Sequence, residues 1–309
     1  MELESSIDLV ITYDWEYDRD FVRLVEGAAR DAGLRTSVVS PAGIIPALEA
    51  LRAGRFGVRV LLDRASGASP DFIAFQALAA EKGADVVETL EKLRWASDKA
   101  TMHLEFLAGG IHTPHTVILP SHAAEPDFDP GPEALAPLGS PFVIKPANTT
   151  GGSVGVVADA VGPADVRKAR LTYPRDKYLL QEKVVPESAD GRRFWFRGFY
   201  VLGEVHLAWW DDRTHVYAEL GFDEAAALSL TPVYAVVRAI ARVSRLRFFS
   251  TEVVRDVRGR LLVVDYVNEI CDMRLQSAHR DGVPDALVAR IAGRIAAFAA
   301  ASARRGTPE

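Results

Sequence analysis

From residue 7 the chain alternates short apolar runs with segments whose apolar residues recur every third or fourth position, the signatures of buried strands and amphipathic helices. Residues 7–13 read as a strand that ends in the acidic cluster Asp14, Glu16 and Asp18. Phe21, Leu24, Val25 and Ala28 then set a helical stripe that stops near Gly33. A second cycle runs from a strand over 36–40 into a helix over 44–51. A third runs from 58–62 into 72–80, and a short strand over 85–88 follows. Strands and helices in strict alternation with short connections predict a parallel sheet covered on both faces. The turn after the first strand lacks Gly-x-Gly-x-x-Gly, so this Rossmann-like lobe is assigned no dinucleotide.

The pattern changes near residue 97. Ser97 predicts the N-cap of a helix that runs through Leu107 and stops at Gly109-Gly110. A strand over 115–119 precedes a Pro-, Asp- and Ala-rich stretch, 120–141, which has no period and reads as a surface excursion. Strands then dominate, over 142–146, 154–157, 178–184, 194–202 and 204–210. Thr231-Pro232 marks an N-cap and first-turn proline for a helix to Arg245. Strands over 250–256 and 261–267 are joined through 257–260, where Gly259 suits a tight hairpin. The Ala-rich run 291–303 carries Arg294 and predicts an amphipathic closing helix. The chain thus divides into a Rossmann-like lobe over 1–92, a small lobe over 93–182 and a larger lobe over 183–309.

Composition narrows the function classes. With 309 residues, 49% apolar and 25% charged, the chain can bury several cores and is not a disordered or fibrous protein. A net charge of −6 and the absence of any long Lys/Arg run argue against nucleic acid as a partner. Met1 is followed by Glu2 and Glu4, where a signal peptide would be basic, and no stretch of about 18 uncharged apolar residues suggests a membrane span. Cys271 is the single cysteine, which rules out an intrachain disulfide or a thiolate metal cluster. A cytoplasmic location is the expectation.

Two features suggest chemistry. Lys145 lies in the otherwise apolar run Phe142-Val143-Ile144-Lys145-Pro146, just before Asn148-Thr149-Thr150-Gly151-Gly152-Ser153-Val154-Gly155. A glycine-rich loop can turn backbone N–H groups toward phosphate, and an adjacent lysine adds a point charge. The other reading is an edge-strand lysine beside a loose hairpin. A Walker loop is excluded, because no Gly-Lys-Ser/Thr follows the glycines. The second feature is the acidic hairpin, with Glu252 on one strand and Asp265 and Asn268 on the next. Hard oxygen donors of this kind suit Mg²⁺; two unrelated acids at strand ends is the alternative.

The order of motifs adds a resemblance. Ser97-Asp98-Lys99 is followed by Gly109-Gly110-Ile111-His112-Thr113-Pro114, then by the 142–155 segment, then by Leu179-Leu180-Gln181-Glu182-Lys183-Val184. Glu252 and Asp265 come last, thirteen positions apart. Over roughly residues 97–280 this series resembles the ATP-grasp superfamily, which includes D-alanine–D-alanine ligases, glutathione synthetases and ribosomal-protein glutamate ligases. The resemblance implies a mixed α/β and α+β architecture, an ATP-grasp fold preceded by the Rossmann-like lobe. It also implies ATP and Mg²⁺ as cofactors, and an ADP-forming ligase that activates a carboxylate as an acyl phosphate and joins it to an amine. Carried over by residue, Lys99 and Lys145 would contact the phosphates, and Thr149, Thr150, Gly151, Gly152 and Ser153 would close over them. Gln181, Glu182, Lys183 and Val184 would hold adenine, and Glu187 (or Asp190) the ribose. Glu252, Asp265 and Asn268 would bind the metal. Arg197 would face the transferring phosphate, and Arg274 would clamp a substrate carboxylate or else pair with Asp272.

One departure from the family stands out. Asp265-Tyr266-Val267-Asn268 has one residue more than the usual acid-x-Asn motif, so strand alternation turns Asp265 and Asn268 to opposite faces. Either a β-bulge reunites them, or one is not a ligand and Glu269 stands in. Of Trp209 and Trp210, alternation allows only one to line a site. His215 is a base for the amine or a loop histidine, and Cys271 has no positioned partner to make it a nucleophile. The cluster Asp14-Trp15-Glu16-Tyr17-Asp18 sits at the ligand edge of the first sheet or is a solvated turn. The expected partners are a small-molecule carboxylate and amine, without nucleic acid or membrane, and a homodimer stays open. A phosphotransferase, a carboxylate–thiol ligase and a catalytically silent ATP-binding protein are the competing readings.

Overall fold

β1 (Ser6–Tyr13) buries Leu9, Val10 and Ile11 completely, and three consecutive apolar positions require cover on both faces of a sheet. A computed structural model describes residues 6–65, 67–149, 154–189 and 191–305 of the chain. After β1 come α1 (Arg19–Asp31), β2 (Thr36–Val39), α2 (Ile44–Arg52), β3 (Gly57–Arg64), α3 (Pro70–Glu81) and β4 (Asp85–Val86). The strands form a parallel sheet in the order β2-β1-β3-β4, as their alternation with helices predicts. Leu9 and Ile11 pack with Phe21, Val22 and Val25 of α1, whereas Val10 joins α2 and α3 on the other face.

Two helices follow in near-contact, α4 (Leu90–Ser97) and α5 (Lys99–Ala108). The cap of α5 is Asp98 rather than Ser97. Its Oδ1 accepts from the Ala100 and Thr101 N–H groups at 3.0 and 3.1 Å, while the Ser97 hydroxyl turns back to the Arg94 carbonyl in α4. The carboxylate accepts two orphan donors at once, which a hydroxyl already bonded within α4 does not.

An antiparallel sheet is assembled from β5 (Thr116–Leu119), α6 (Pro132–Leu135), β6 (Phe142–Pro146), β7 (Val157–Ala160), α7 (Pro163–Thr172) and β8 (Tyr178–Glu182). Its strand order is β5-β8-β6-β7. β7 begins at Val157 rather than residue 154, because the chain still turns at Gly155 (φ 75°). The aperiodic excursion over 120–141 is ordered by Arg170 of α7. That arginine is 1% exposed and donates to the carbonyls of Phe128, Pro120, Ser121 and Glu125 at 2.7–3.2 Å.

The two-residue strands β9 (Ser188–Ala189) and β10 (Arg192–Arg193) lead into a larger sheet. It contains β11 (Trp195–Val201), β12 (Glu204–Asp211) and β13 (Val216–Glu219), followed after α8 (Phe222–Ala227) and α9 (Thr231–Ser244) by β14 (Phe248–Arg255) and β15 (Leu261–Asn268). The strand order is β13-β12-β11-β14-β15, antiparallel throughout. Leu230 caps α9, which places Thr231 inside the first turn and Pro232 at its second position. Gly198 lets α9 lie close on the sheet, since a Cβ there would stand 2.6 Å from Val237. The opposite face receives α10 (Asp285–Arg305), whose Leu287, Val288, Ile291 and Ile295 pack with Phe199, Val201 and also Leu9, Ile11 and Val25. By packing, α10 is therefore shared between the large sheet and the first lobe. It has the length and average hydropathy of a membrane span, but its apolar stripe is spent on this core.

Candidate active site

A cleft of about 410 Å³ is lined by residues of both antiparallel sheets. One part is apolar, with Val143, Val156, Ala158, Val184 and Val264 in its walls. The rest is strongly charged, with Lys99, Lys145, Glu252 and Asp265. Of the expected site residues, Lys99, Lys145, Thr149, Gln181, Glu182, Lys183, Val184, Glu252, Asp265 and Asn268 all line this cleft. Thr150, Gly151, Gly152 and Ser153, together with Asp190, lie outside the described residues.

The acidic hairpin shows how the extra residue is absorbed. Glu252 of β14 pairs directly with Asp265 of β15, so both carboxylates point to one face. The next pair is Ser250 with Asn268, two steps along β14 but three along β15. A second irregularity separates Glu252/Asp265 from Val253/Val263. These bulges bring Asn268 back to the face of Asp265, and its Nδ2 donates to Asp265 Oδ2 at 3.0 Å. A bulge leaves carbonyls out of the ladder, and the Thr251 hydroxyl lies 2.9 and 2.8 Å from those of Asp265 and Tyr266. Glu269 does not line the cleft; burial pushes its carboxyl up.

Three cations surround this acid pair. Lys145 Nζ donates to the Val264 carbonyl at 2.8 Å. Burial lowers its affinity for a proton, and Asp265 and Glu252 only partly restore it. Lys99 opens α5, its backbone N–H bound to the Ala147 carbonyl at 3.0 Å. Arg197 stands opposite Glu252 on β11, and its Nη1 meets Glu252 Oε1 at 2.5 Å. Burial works against the Arg197 charge, yet Tyr217, Glu252 and Asp265 around it hold its pKa above the ordinary arginine value. Its Nε is buried without a partner among the described residues. Asp265 is disfavoured as an anion by burial, but Lys99, Lys145 and Arg197 outweigh this and keep it ionised below the usual carboxylate range. Glu252 is pushed the other way, up, because its desolvation exceeds the help of Arg197. Three cations against two carboxylates leave positive charge for a further anion, the electrostatic condition for a polyphosphate.

At the apolar part, β8 ends at Glu182, and Lys183 and Val184 continue along the cleft outside the ladder. Glu182 is fixed twice to His115, its N–H donating to the His115 carbonyl at 2.9 Å and its Oε1 accepting from the His115 N–H at 3.1 Å. Gln181 ties the two sheets together: its Nε2 reaches Thr116 Oγ1 (3.1 Å) and the Tyr266 hydroxyl (2.9 Å), which continues to His103 Nδ1 (3.0 Å).

Three expected residues do not line the cleft: Arg197, which is paired with Glu252, and two that are held elsewhere. Glu187 is gripped by Arg255 at 2.6 and 3.2 Å and does not line the cleft. Arg274 already spends its fork on Asp272 (2.8 Å) and Asp281 (2.8 and 3.3 Å), so the pairing reading fits it and the clamp at this cleft does not. Cys271 is buried, with its thiol pushed up to about 12 by desolvation, and is no nucleophile. Asp18 of the first acidic cluster is also buried, in a two-pronged pair with Arg64 at 2.9 and 2.6 Å.

No protein-family model matches the chain, and no curated protein matches it by sequence. Solved structures do. A RimK-domain ATP-grasp protein from Sphaerobacter thermophilus DSM 20745 superposes with a TM-score of 0.62 at 22% identity, over 94% of this chain and 98% of that one. D-alanine–D-alanine ligase from Bacillus anthracis, solved with ATP, gives 0.65 at 13% identity over 98% and 100%. The D-cycloserine synthetase DcsG gives 0.58 at 19% over 96% and 99%. The chain has the ATP-grasp fold. The likeness extends through the first lobe and α10, well beyond the segment that carries the sequence motifs.

Within this cleft, Trp195 and Arg193 have no counterpart in the reading of the sequence. Trp195 donates from Nε1 to Glu252 Oε2 at 3.0 Å, so Glu252 is held from both sides. Its signal was present: Trp195 and Arg197 are two apart on a strand and share a face. Arg193 grips Asp212 at 2.6 and 2.7 Å in the cleft wall. Trp209 is core, 4.8 Å from Phe196, while Trp210 lines the cleft, as strand alternation requires. His215 lines it too.

Proposed function

We propose that this protein is an ATP- and Mg²⁺-dependent ligase that converts a carboxylate to an acyl phosphate and joins it to an amine, releasing ADP. The observation that carries the reading is the Glu252–Asp265 rung, bracketed by bulges and ringed by Lys99, Lys145 and Arg197, at one side of a cleft whose other side is apolar. A flat aromatic base suits the Val143, Val156, Ala158 and Val264 walls, with the backbone of Glu182 and Val184 beside it for its polar edge. The phosphates then fall to Lys99, Lys145 and the segment that starts at Thr149. The neighbours support this: one D-alanine–D-alanine ligase was solved with ATP, and the ATP-grasp ligase PsnB with a minimal precursor, Mg and ADP.

The donor set fits Mg²⁺. Two carboxylates on one rung and the Asn268 carboxamide are hard oxygen ligands, and Asp265 is ionised in place. When bound there, the ion would neutralise phosphate charge during transfer. Arg197 would balance the remaining charge, as its buried, permanently protonated fork permits. In the reaction a carboxylate oxygen attacks the γ-phosphorus, the bond to the β,γ-bridging oxygen breaks, and ADP departs. The amine nitrogen then attacks the acyl carbon, and phosphate leaves with the carbon–oxygen bonding pair. Such transfer asks mainly for positioning and electrostatic stabilisation, which these side chains supply without a covalent protein nucleophile.

The test is ADP release with Mg²⁺ across a panel of amino acids, small carboxylates and amines. Release that needs a carboxylate and an amine together is the expected result. Release with an alcohol or a thiol as acceptor, or none despite ATP binding, would overturn the amine-ligase reading.

A further inference from the structure

Amide formation leaves a proton on the attacking nitrogen that must be removed before phosphate departs, and most side chains near the acid pair are already committed. Glu252 is held by Arg197 and Trp195, Asp265 is bonded by Asn268, and Asp212 is gripped by Arg193. His215 is the exception. It is the single histidine among the described residues that line the cleft, and neither of its ring nitrogens has a hydrogen-bond partner among them. Imidazole is also the side chain best able to take and return protons near neutrality.

The turn and one aromatic neighbour fix the orientation of that exposed ring. His215 sits in the turn between β12 and β13 with φ of 56°, a left-handed backbone unfavourable to a residue with a Cβ. Asp211 imposes the turn: its Oδ1 accepts from the Arg213 and Thr214 N–H groups at 2.9 and 3.0 Å, and its carbonyl accepts from the His215 N–H at 2.8 Å. The imidazole then lies flat against Trp210, 5.5 Å between centroids and 7° between planes. Trp210 in turn has the Arg197 guanidinium 5.6 Å from its centroid. His215 is thereby linked through Trp210 to Arg197, the partner of Glu252. The ring is exposed at the cleft, so its nitrogens are open to solvent and to an incoming amine while its plane is fixed against Trp210.

We infer that His215 is the general base of the ligation step, a reading that rests on the proposed ligase activity. As the amine nitrogen bonds to the acyl carbon, an unprotonated ring nitrogen of His215 takes the N–H proton. The carbon–oxygen bond to phosphate breaks, phosphate leaves with that pair, and the imidazolium returns its proton to solvent.

The experiment compares two acceptors with the wild-type enzyme, His215→Gln and His215→Ala, using the carboxylate and amine that release most ADP in the panel above. Hydroxylamine traps acyl phosphates as hydroxamates and is basic so weakly that water suffices to deprotonate it on attack. With the amine, both variants should lose about a hundredfold in rate or more, the usual scale of general-base catalysis. With hydroxylamine they should stay within about threefold of wild type, since acyl phosphate formation does not use the base. Added imidazole should restore amine ligation to His215→Ala. Equal losses with both acceptors, or no loss with the amine, would overturn the role of His215 while leaving the ligase reading intact. A wild-type enzyme that forms no hydroxamate from any carboxylate in the panel would sink the ligase reading, and this inference with it.

Discussion

Arg197 and Glu252 occupy directly opposed positions on β11 and β14, and their side chains meet across that rung at 2.5 Å. Arg197 is buried and Glu252 largely so, and although Trp195 also donates to that carboxylate, the arginine is the main group that offsets its desolvation. Removing the arginine alone strands a carboxylate, and we expect Arg197→Ala to cost about 3–5 kcal/mol. Replacing both by apolar residues, Arg197→Met with Glu252→Leu, should recover most of that loss. Urea denaturation of the two variants beside the wild type decides it. A double variant as unstable as the single one would mean that the pair is not the cause.

The acid and the lysine that face each other in the cleft should separate in function. Lys145→Ala should weaken ATP binding about tenfold to a hundredfold, the scale of a hydrogen bond to a charged group. Asp265→Asn keeps the shape but loses the ionised ligand, so it should bind ATP and fail to turn it over with Mg²⁺. Calorimetric titration with ATP, followed by ADP release, reads both. Wild-type behaviour in both variants would remove these residues from the site.

Thr251 is a prediction about the bulge. Its hydroxyl is within hydrogen-bond reach of the Asp265 and Tyr266 carbonyls at the bulge. Thr251→Val preserves shape and should cost about 1–3 kcal/mol for the stranded acceptors. It should also raise the Mg²⁺ concentration needed for half-maximal turnover, because Asn268 depends on the same bulge. Unchanged stability and unchanged Mg²⁺ dependence would show that the bulge holds without it.

Stability should fall as pH rises through mildly acidic values. Glu88 is buried, and its pKa is pushed from 4.5 up to about 7, chiefly by desolvation, although the Arg247 and Phe248 N–H groups and the Arg247 charge pull the other way. Its Oε2 has no partner among the described residues. Between these pH values the unfolded chain releases the proton while the folded chain keeps it, so the folded state loses ground by about 3 kcal/mol before levelling off. Glu88→Gln should remove that slope from the pH profile of the unfolding free energy. A variant that keeps the wild-type slope would assign it to another group.

These outcomes bear on what could be read from the chain. The alternation of the first lobe and the order of the later motifs were legible because each rests on local periodicity or on spacing. α4 and α7 have no counterpart in the periodicity reading, being short and rich in polar residues whose stripes are weak. The surplus residue before Asn268 was visible in the spacing, yet whether it broke the site depended on a cross-strand register that only pairing with β14 decides. Glu187 and Arg274 mark the limit of carrying roles over by position. Their partners, Arg255 and Asp281, meet them away from the cleft, so neither charge stands where the proposed ligands would bind.

The packing of α10 against β1 and α1 has a consequence for how the polypeptide reaches this state. α10 follows β1 and α1 by nearly the whole described chain, so the core that α1 begins to cover on Leu9 and Ile11 is completed only by a distant segment. Loss of α10 would therefore be felt far along the chain from it, in the core between β1 and α1.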